Sequence, residues 1–306
     1  MCDKLNNIIL RQLSQGNNDG DIVSKPHHGY IAPILGIDRH RIDCDGEGIN
    51  SLVAFYGCPL DCKYCLNPGC HKRGSNWMSP QQLYDIIKID DIYFRATKGG
   101  ITFGGGEPFL YTHFISSFAK LCGNRWGINL ETSLNVSLEA IKHCISHIKT
   151  LFVDLKCFNI SKYISYTGKT NCKVLRNLQW LVENGYASSV IVRIPNIPQL
   201  TDEKDIEDAV MYCNSLGLDN IDQFDYVLPS DLQHERDKRI NYGKEICSTL
   251  KKVRLKMAKD NGLNIAIPKC TYDGPCIGTC PRCDAELQNI TTYLNILENN
   301  NVNIIL

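Results

Sequence analysis

The stretch Cys58-Pro59-Leu60-Asp61-Cys62-Lys63-Tyr64-Cys65 decides how the rest of the chain is read. Its cysteines are separated by three residues and then by two. That spacing brings three thiolates onto one concave loop, where they can face a single metal centre. Soft thiolates select iron–sulfur clusters, zinc or copper(I), and a closed zinc site takes four ligands. With no fourth cysteine at zinc-knuckle spacing, one metal position stays open. An iron with a free position can bind and reduce a substrate. The plainer reading of the same residues is three buried cysteines or a zinc loop.

Working outward, residues 52–56 form a short apolar run that ends at Gly57 and reads as a buried strand feeding the loop. Ser79-Pro80-Gln81-Gln82 opens a helix, with Ser79 as cap, Pro80 in the first turn and Gln82 completing a capping box. Strands are then expected at 101–103, 128–130, 151–155, 190–194, 224–228 and 263–267. Helices are expected at 109–122, 138–148, 174–182, from a Thr201 cap to 216, and at 242–260. This alternation predicts an α/β fold with a parallel sheet and crossover helices. The number of units predicts a partial (β/α)6 TIM-like barrel, whose working residues gather at the C-terminal ends of the strands. The cysteine loop sits at such an end.

The chain has 306 residues, 16 of them cysteine, and 33 basic residues balance 33 acidic ones. The balance gives no reason to expect a nucleic-acid partner. No apolar run approaches the length of a membrane span, and residues 1–15 lack a signal-peptide core. A reducing cytoplasm is therefore expected, with the cysteines as metal ligands or core residues. Cys122, Cys144, Cys213 and Cys247 fall in helical patterns and read as small buried hydrophobes. Leu5, Ile8, Ile9 and Leu13 have helical spacing, and His27 and His28 read as part of a solvated loop.

Other strand ends carry chemistry too. The second strand runs into Gly104-Gly105-Gly106-Glu107-Pro108, where glycines let a ligand approach the backbone and Glu107 offers a carboxylate for an ammonium group. The third ends in Glu131-Thr132-Ser133 and the fifth carries Arg193. In Asp154-Leu155-Lys156, alternation puts the charged pair on one face and Leu155 on the other. Charges pointing into a barrel are costly unless something uses them, an internal salt bridge being the structural alternative.

The loop, with Tyr64 as its aromatic residue, resembles the CxxxCxΦC signature of the radical S-adenosylmethionine (SAM) superfamily, and residues 104–108 resemble its GGEP motif. Within it, Asp45-Gly46-Glu47-Gly48, Cys65-Leu66-Asn67-Pro68, Asp154-Leu155-Lys156, Thr167-Gly168 and Arg193 through Pro198 are similar, in order, to glycyl-radical-enzyme activating enzymes of the pyruvate formate-lyase type. The likeness covers residues 43–228. Glu47 and Asn50 depart from the pattern, as does Glu131, one methylene longer than the usual Asp. The resemblance implies a 4Fe-4S cluster on Cys58, Cys62 and Cys65, with SAM held near Tyr64, Gly105, Gly106, Glu107, Thr132, Asp154, Lys156 and Arg193. It further implies a monovalent cation at Glu131, Thr132 and Asp154. A 5′-deoxyadenosyl radical would then install a glycyl radical on a partner enzyme, with electrons from a donor such as flavodoxin or ferredoxin.

Cys270, Cys276, Cys280 and Cys283 form a second set, complete for either a second Fe-S cluster or zinc. The expected organisation is an N-terminal extension (1–42), the barrel (43–267) and a cysteine-rich segment (268–306) with an uninformative polar tail from Gln288. Two rival functions remain: a peptide- or protein-modifying radical SAM enzyme with an auxiliary cluster, and a non-catalytic Fe-S or zinc-binding protein. The glycine turn argues against the latter.

Overall fold

The computed structural model describes residues 30–306 apart from 73, 75, 229–231, 273–275, 277 and 279; in the helix starting at Leu232, side chains are described from residue 243. The expected helix around residues 5–13, His27 and His28 lie outside the described residues.

The elements in chain order are β1 (Ala32–Ile42), β2 (Ile49–Phe55), β3 (Trp77–Met78), α1 (Pro80–Ile87), α2 (Asp91–Thr97), β4 (Gly100–Gly105), α3 (Thr112–Cys122), β5 (Gly127–Thr132), α4 (Leu138–Cys144), β6 (Thr150–Asp154), α5 (Ile160–Thr167), α6 (Cys172–Glu183), β7 (Val190–Asn196), α7 (Glu203–Leu216), β8 (Ile221–Asp225), α8 (Leu232–Asp260) and α9 (Pro281–Asn299). They build one eight-stranded sheet in the order β3-β1-β2-β4-β5-β6-β7-β8. β2 and β4 to β8 run parallel, so the expected partial (β/α)6 barrel is present and all its strands end on one side. β1, expected within an extension, instead pairs antiparallel with β2 and with β3. It covers what would otherwise be the open edge of the first parallel strand.

Local chemistry explains the units. Ile101, Thr102 and Phe103 are all buried, as a strand covered on both faces requires. Ser79 accepts from Gln82 N while the Gln82 side chain accepts from Ser79 N, the reciprocal box expected of that sequence. The cap of α7 is Asp202 rather than Thr201: its carboxylate accepts from Asp205 N. The Thr201 hydroxyl instead accepts from Ile197 N at 2.7 Å, closing the turn before the helix.

Two cores result. The larger fills the sheet and the helices of the barrel. The second gathers Ile49, Ile92 and Tyr93 with Leu250, Met257, Leu287, Ile290 and Leu294, so α8 and α9 pack on α2 and the start of β2. Residues 263–267, expected as a last strand, pair with no strand among the described residues. Leu263, Ile265 and Ile267 alternate because one side of an extended segment lies on this second core. The tail from Gln288 is likewise no polar cap: α9 turns Leu287, Ile290 and Leu294 inward. Arg39 of β1 grips Asp90 with two bonds of 2.8 Å and Asp284 with one of 3.0 Å, fastening α9 to the sheet. No helix among the described residues is long and apolar enough to cross a membrane.

Candidate active site at the barrel mouth

The cysteine loop leaves the C-terminal end of β2 and is stitched to its surroundings by backbone bonds. Gly106 N donates to Phe55 O at 3.0 Å and Glu107 N to Gly57 O at 2.8 Å, joining the loop to the glycine turn after β4. On the other side Asp61 N and Lys63 N donate to Thr167 O and Tyr166 O, both at 3.0 Å. Just past β8 the Tyr226 hydroxyl donates to Tyr64 O at 2.6 Å. The glycines are sterically required: Gly105 has φ +81°, and a Cβ on Gly106 would lie 2.1 Å from Gly57 O.

Cys58, Cys62 and Cys65 are half-buried on this loop. Cys58 lies in the field of Cys62 and Glu107, and Cys62 in that of Cys65 and Lys156. Burial pushes the Cys58 thiol up to about 12 and raises Cys62 as well. A hydrogen bond with Cys70 draws Cys65 down to about 5. Cys70 was not foreseen at the site. Cys65, Cys70 and His71 bring their donor atoms within 4.8 Å of one another, and Cys70 is fully buried.

Glu107 is 1% exposed. Burial raises its carboxyl above the ordinary range, an effect opposed by Thr132 and Ser133. Its oxygens accept from both hydroxyls at 2.7 Å, from Ser133 N at 3.1 Å and from Phe109 N at 3.3 Å. The side chain is thus committed to holding β4 and β5 together at their ends.

Beside it runs a chain of alternating charge. The Arg193 guanidinium donates to Glu131 at 2.8 Å and to Asp154 at 2.7 Å, and Lys156 donates to Asp154 at 3.1 Å. Leu155 points the other way and is buried. Burial raises Glu131. Burial alone would raise Asp154 too, but Arg193 and Lys156 outweigh it and hold that carboxyl near about 2. Lys156 also lies in the field of Cys62 and Tyr166.

The second cysteine set is assembled differently from the expectation. The Cys280 and Cys283 thiols are 3.5 Å apart. Cys283 is 3.7 Å from Cys247 of α8, which is half-buried rather than a core residue. Cys122, Cys144 and Cys213 are buried as expected. Cys270 is exposed.

The sequence profile of the Radical SAM superfamily matches residues 52–212, from within β2 into α7. The chain belongs to the radical SAM superfamily. Among curated radical SAM proteins it is 30% identical to the pyruvate formate-lyase-activating enzyme of Staphylococcus aureus strain USA300, over 60% of this chain and 76% of that one. It is 28% identical to the pyruvate formate-lyase 2-activating enzyme of Escherichia coli K12, over 56% of this chain and 68% of that one. Among solved structures, Streptococcus suis SuiB bound to S-adenosylmethionine matches with a TM-score of 0.47 and 15% identity, over 72% of this chain and half of that one.

A radical SAM enzyme implies a 4Fe-4S cluster and SAM, and the mouth suits such a group. Its donors are three soft, half-buried thiols on one loop, which backbone bonds from Gly106 and Glu107 set against the glycine turn. A monovalent cation fits less well. Arg193 stands between Glu131 and Asp154, and the Thr132 hydroxyl is bonded to Glu107 and accepts from Leu134 N. The three expected cation ligands are each engaged by protein groups.

Proposed function

We propose that this radical SAM enzyme installs a glycyl radical on a partner protein. Cys58, Cys62 and Cys65 would hold the cluster. When bound, cluster and SAM supply a reductive cleavage that releases methionine and a 5′-deoxyadenosyl radical able to abstract hydrogen from a glycine Cα. The protein's task is to orient and to exclude side reactions. Gly105, Gly106 and Glu107 form the cradle for the methionyl end. Lys156 and Arg193 present cationic groups to the SAM carboxylate, with Asp154 and Glu131 fixing their direction. Thr132 positions the cradle through Glu107, and Tyr64 offers its backbone to adenine. An external flavodoxin- or ferredoxin-type protein delivers the electron.

The observation that carries the reading is the pair of backbone bonds from Gly106 and Glu107 to Phe55 and Gly57. They set the glycine turn directly against the thiol loop, an arrangement a simple electron carrier does not need. The relatives named for pyruvate formate-lyase activation support the choice of substrate class. The test is anaerobic reconstitution with iron and sulfide, followed by reductant and SAM. Formation of 5′-deoxyadenosine is expected, and a glycyl-radical signal should appear on a glycyl radical enzyme co-purified or encoded beside this chain. Absence of 5′-deoxyadenosine rejects the enzyme reading. Cleavage accompanied by modification of a short precursor peptide, with no glycyl radical, rejects the substrate.

A further inference from the structure

The thiols at the far end of the chain form a site whose ligand set the cysteine spacing did not disclose. Cys283 has two sulfur neighbours, Cys280 at 3.5 Å and Cys247 at 3.7 Å. The backbone of Cys276 lies against α8 as well. A Cβ on Gly243 would fall 1.7 Å from Cys276 O, and one on Gly278 would fall 2.5 Å from the Ile246 side chain. Cys276 and Gly278 are thus pressed against α8. Gly243 and Cys247 are four residues apart, so Cys276 lies over the helix face that carries Cys247. Cys270 is exposed.

These separations choose between the two kinds of centre. Four thiolates around one zinc at about 2.3 Å in a tetrahedron stand about 3.8 Å from one another. Ligands of a 4Fe-4S cluster sit on separate irons of a cube and are much farther apart. The two contacts made by Cys283 have the single-ion scale.

Two further features suit a tetrathiolate, which carries excess negative charge. Cys280 occupies the N-cap of α9, so the positive end of the helix dipole lies toward its sulfur. Arg254 is 1% exposed, and its charge couples to Cys283. Two of its nitrogens bond Tyr93 and Glu286, while Nε is buried with no partner.

We propose that Cys247, Cys276, Cys280 and Cys283 form a closed, structural zinc site that clamps α9 onto α8, and that Cys270 is not a ligand. The site is independent of the chemistry at the mouth. Asp284, next to Cys283, pairs with Arg39; the register Asp38↔Leu52 and Arg41↔Asn50 places Arg39 level with the first half of β2. The cysteine loop begins beyond the other end of that strand.

The experiment uses the full chain with Cys58→Ala, Cys62→Ala and Cys65→Ala, so that failure of the catalytic assignment cannot affect the result. Elemental analysis is expected to find about one zinc per chain and no acid-labile sulfide. Adding Cys270→Ser should leave the zinc in place, whereas adding Cys247→Ser should lower occupancy at least ~10-fold. Cobalt(II) exchanged into the Cys270→Ser protein should give tetrahedral ligand-field bands with strong sulfur charge transfer; this arm stands even if Cys247→Ser fails to fold. Iron with sulfide in the triple variant, absence of metal, loss of zinc or of the cobalt spectrum on Cys270→Ser, or zinc retained by Cys247→Ser would each overturn the proposal.

Discussion

The molecule holds two groups of thiols made by opposite means. At the mouth, Cys58, Cys62 and Cys65 come from one loop, and only backbone bonds to neighbouring strand ends are needed to aim them. At the other end, Cys247 and Cys283 are 36 residues apart and meet because two helices pack over a shared core. The first set can be read from spacing because its geometry is local. The second depends on tertiary packing and becomes visible only in the fold. The contrast extends to purpose: a loop leaving one metal position open suits reactivity, whereas a clamp between helices suits stability.

The largest effect that would test this contrast is expected from Cys62→Ala. It should abolish SAM cleavage, a loss of at least ~10³-fold given that the cofactor carries the chemistry, while metal bound at the C-terminal thiols stays. Loss of metal from both places would mean that the two groups are not separate. Cys247→Ser is expected to do the reverse, lowering the thermal midpoint by on the order of 10 °C, as loss of a structural metal worth several kcal/mol should, with iron at the mouth retained. Calorimetry and metal analysis on the same samples decide it.

Arg193→Met probes the mouth without touching a thiol. It strands Glu131 in a half-buried setting and leaves Asp154 with Lys156 alone, and a loss of about 3 kcal/mol is expected, the low end for a broken buried pair. Denaturant titration measures this, and Glu131→Gln on that background should recover part of it. A smaller effect concerns pH. Asp154 is held below the ordinary aspartate range, so it binds protons more readily when unfolded. Its contribution to stability is present above the ordinary value of 3.8 and disappears as the pH falls towards about 2. Asp154→Asn should therefore flatten the acid limb of stability in that window, and an unchanged limb would remove Asp154 from the network. The smallest effect is expected from Ser79→Ala, about 1 kcal/mol from loss of a cap. It should alter the metal content of neither thiol group.

The same division governs what could be read before the fold was known. The parallel strands, the cap at Ser79 and the glycine turn follow from patterns a few residues long. β1 was not legible: Arg39 and Arg41 interrupt its apolar positions, and Arg39 is there because it reaches Asp90 and Asp284 across the sheet. Residues 263–267 show the converse error, since alternation reports that one face is buried but not that a neighbouring strand exists. Cys247 looked like a core cysteine because its partner lies on another helix. Nor could sequence foretell that Glu107 would also accept from Thr132 and Ser133.

The bond from Tyr226 to Tyr64 O has a consequence for handling the protein. β8 is the last strand of the sheet, and most of its residues are exposed. Its outer row of amides and carbonyls is the kind of margin along which chains stick to one another. Because the tyrosine after it leans on the cysteine loop, stripping iron from that loop should loosen this margin and drive self-association. Turbidity that appears on chelation and clears when iron and sulfide are returned would be the visible sign.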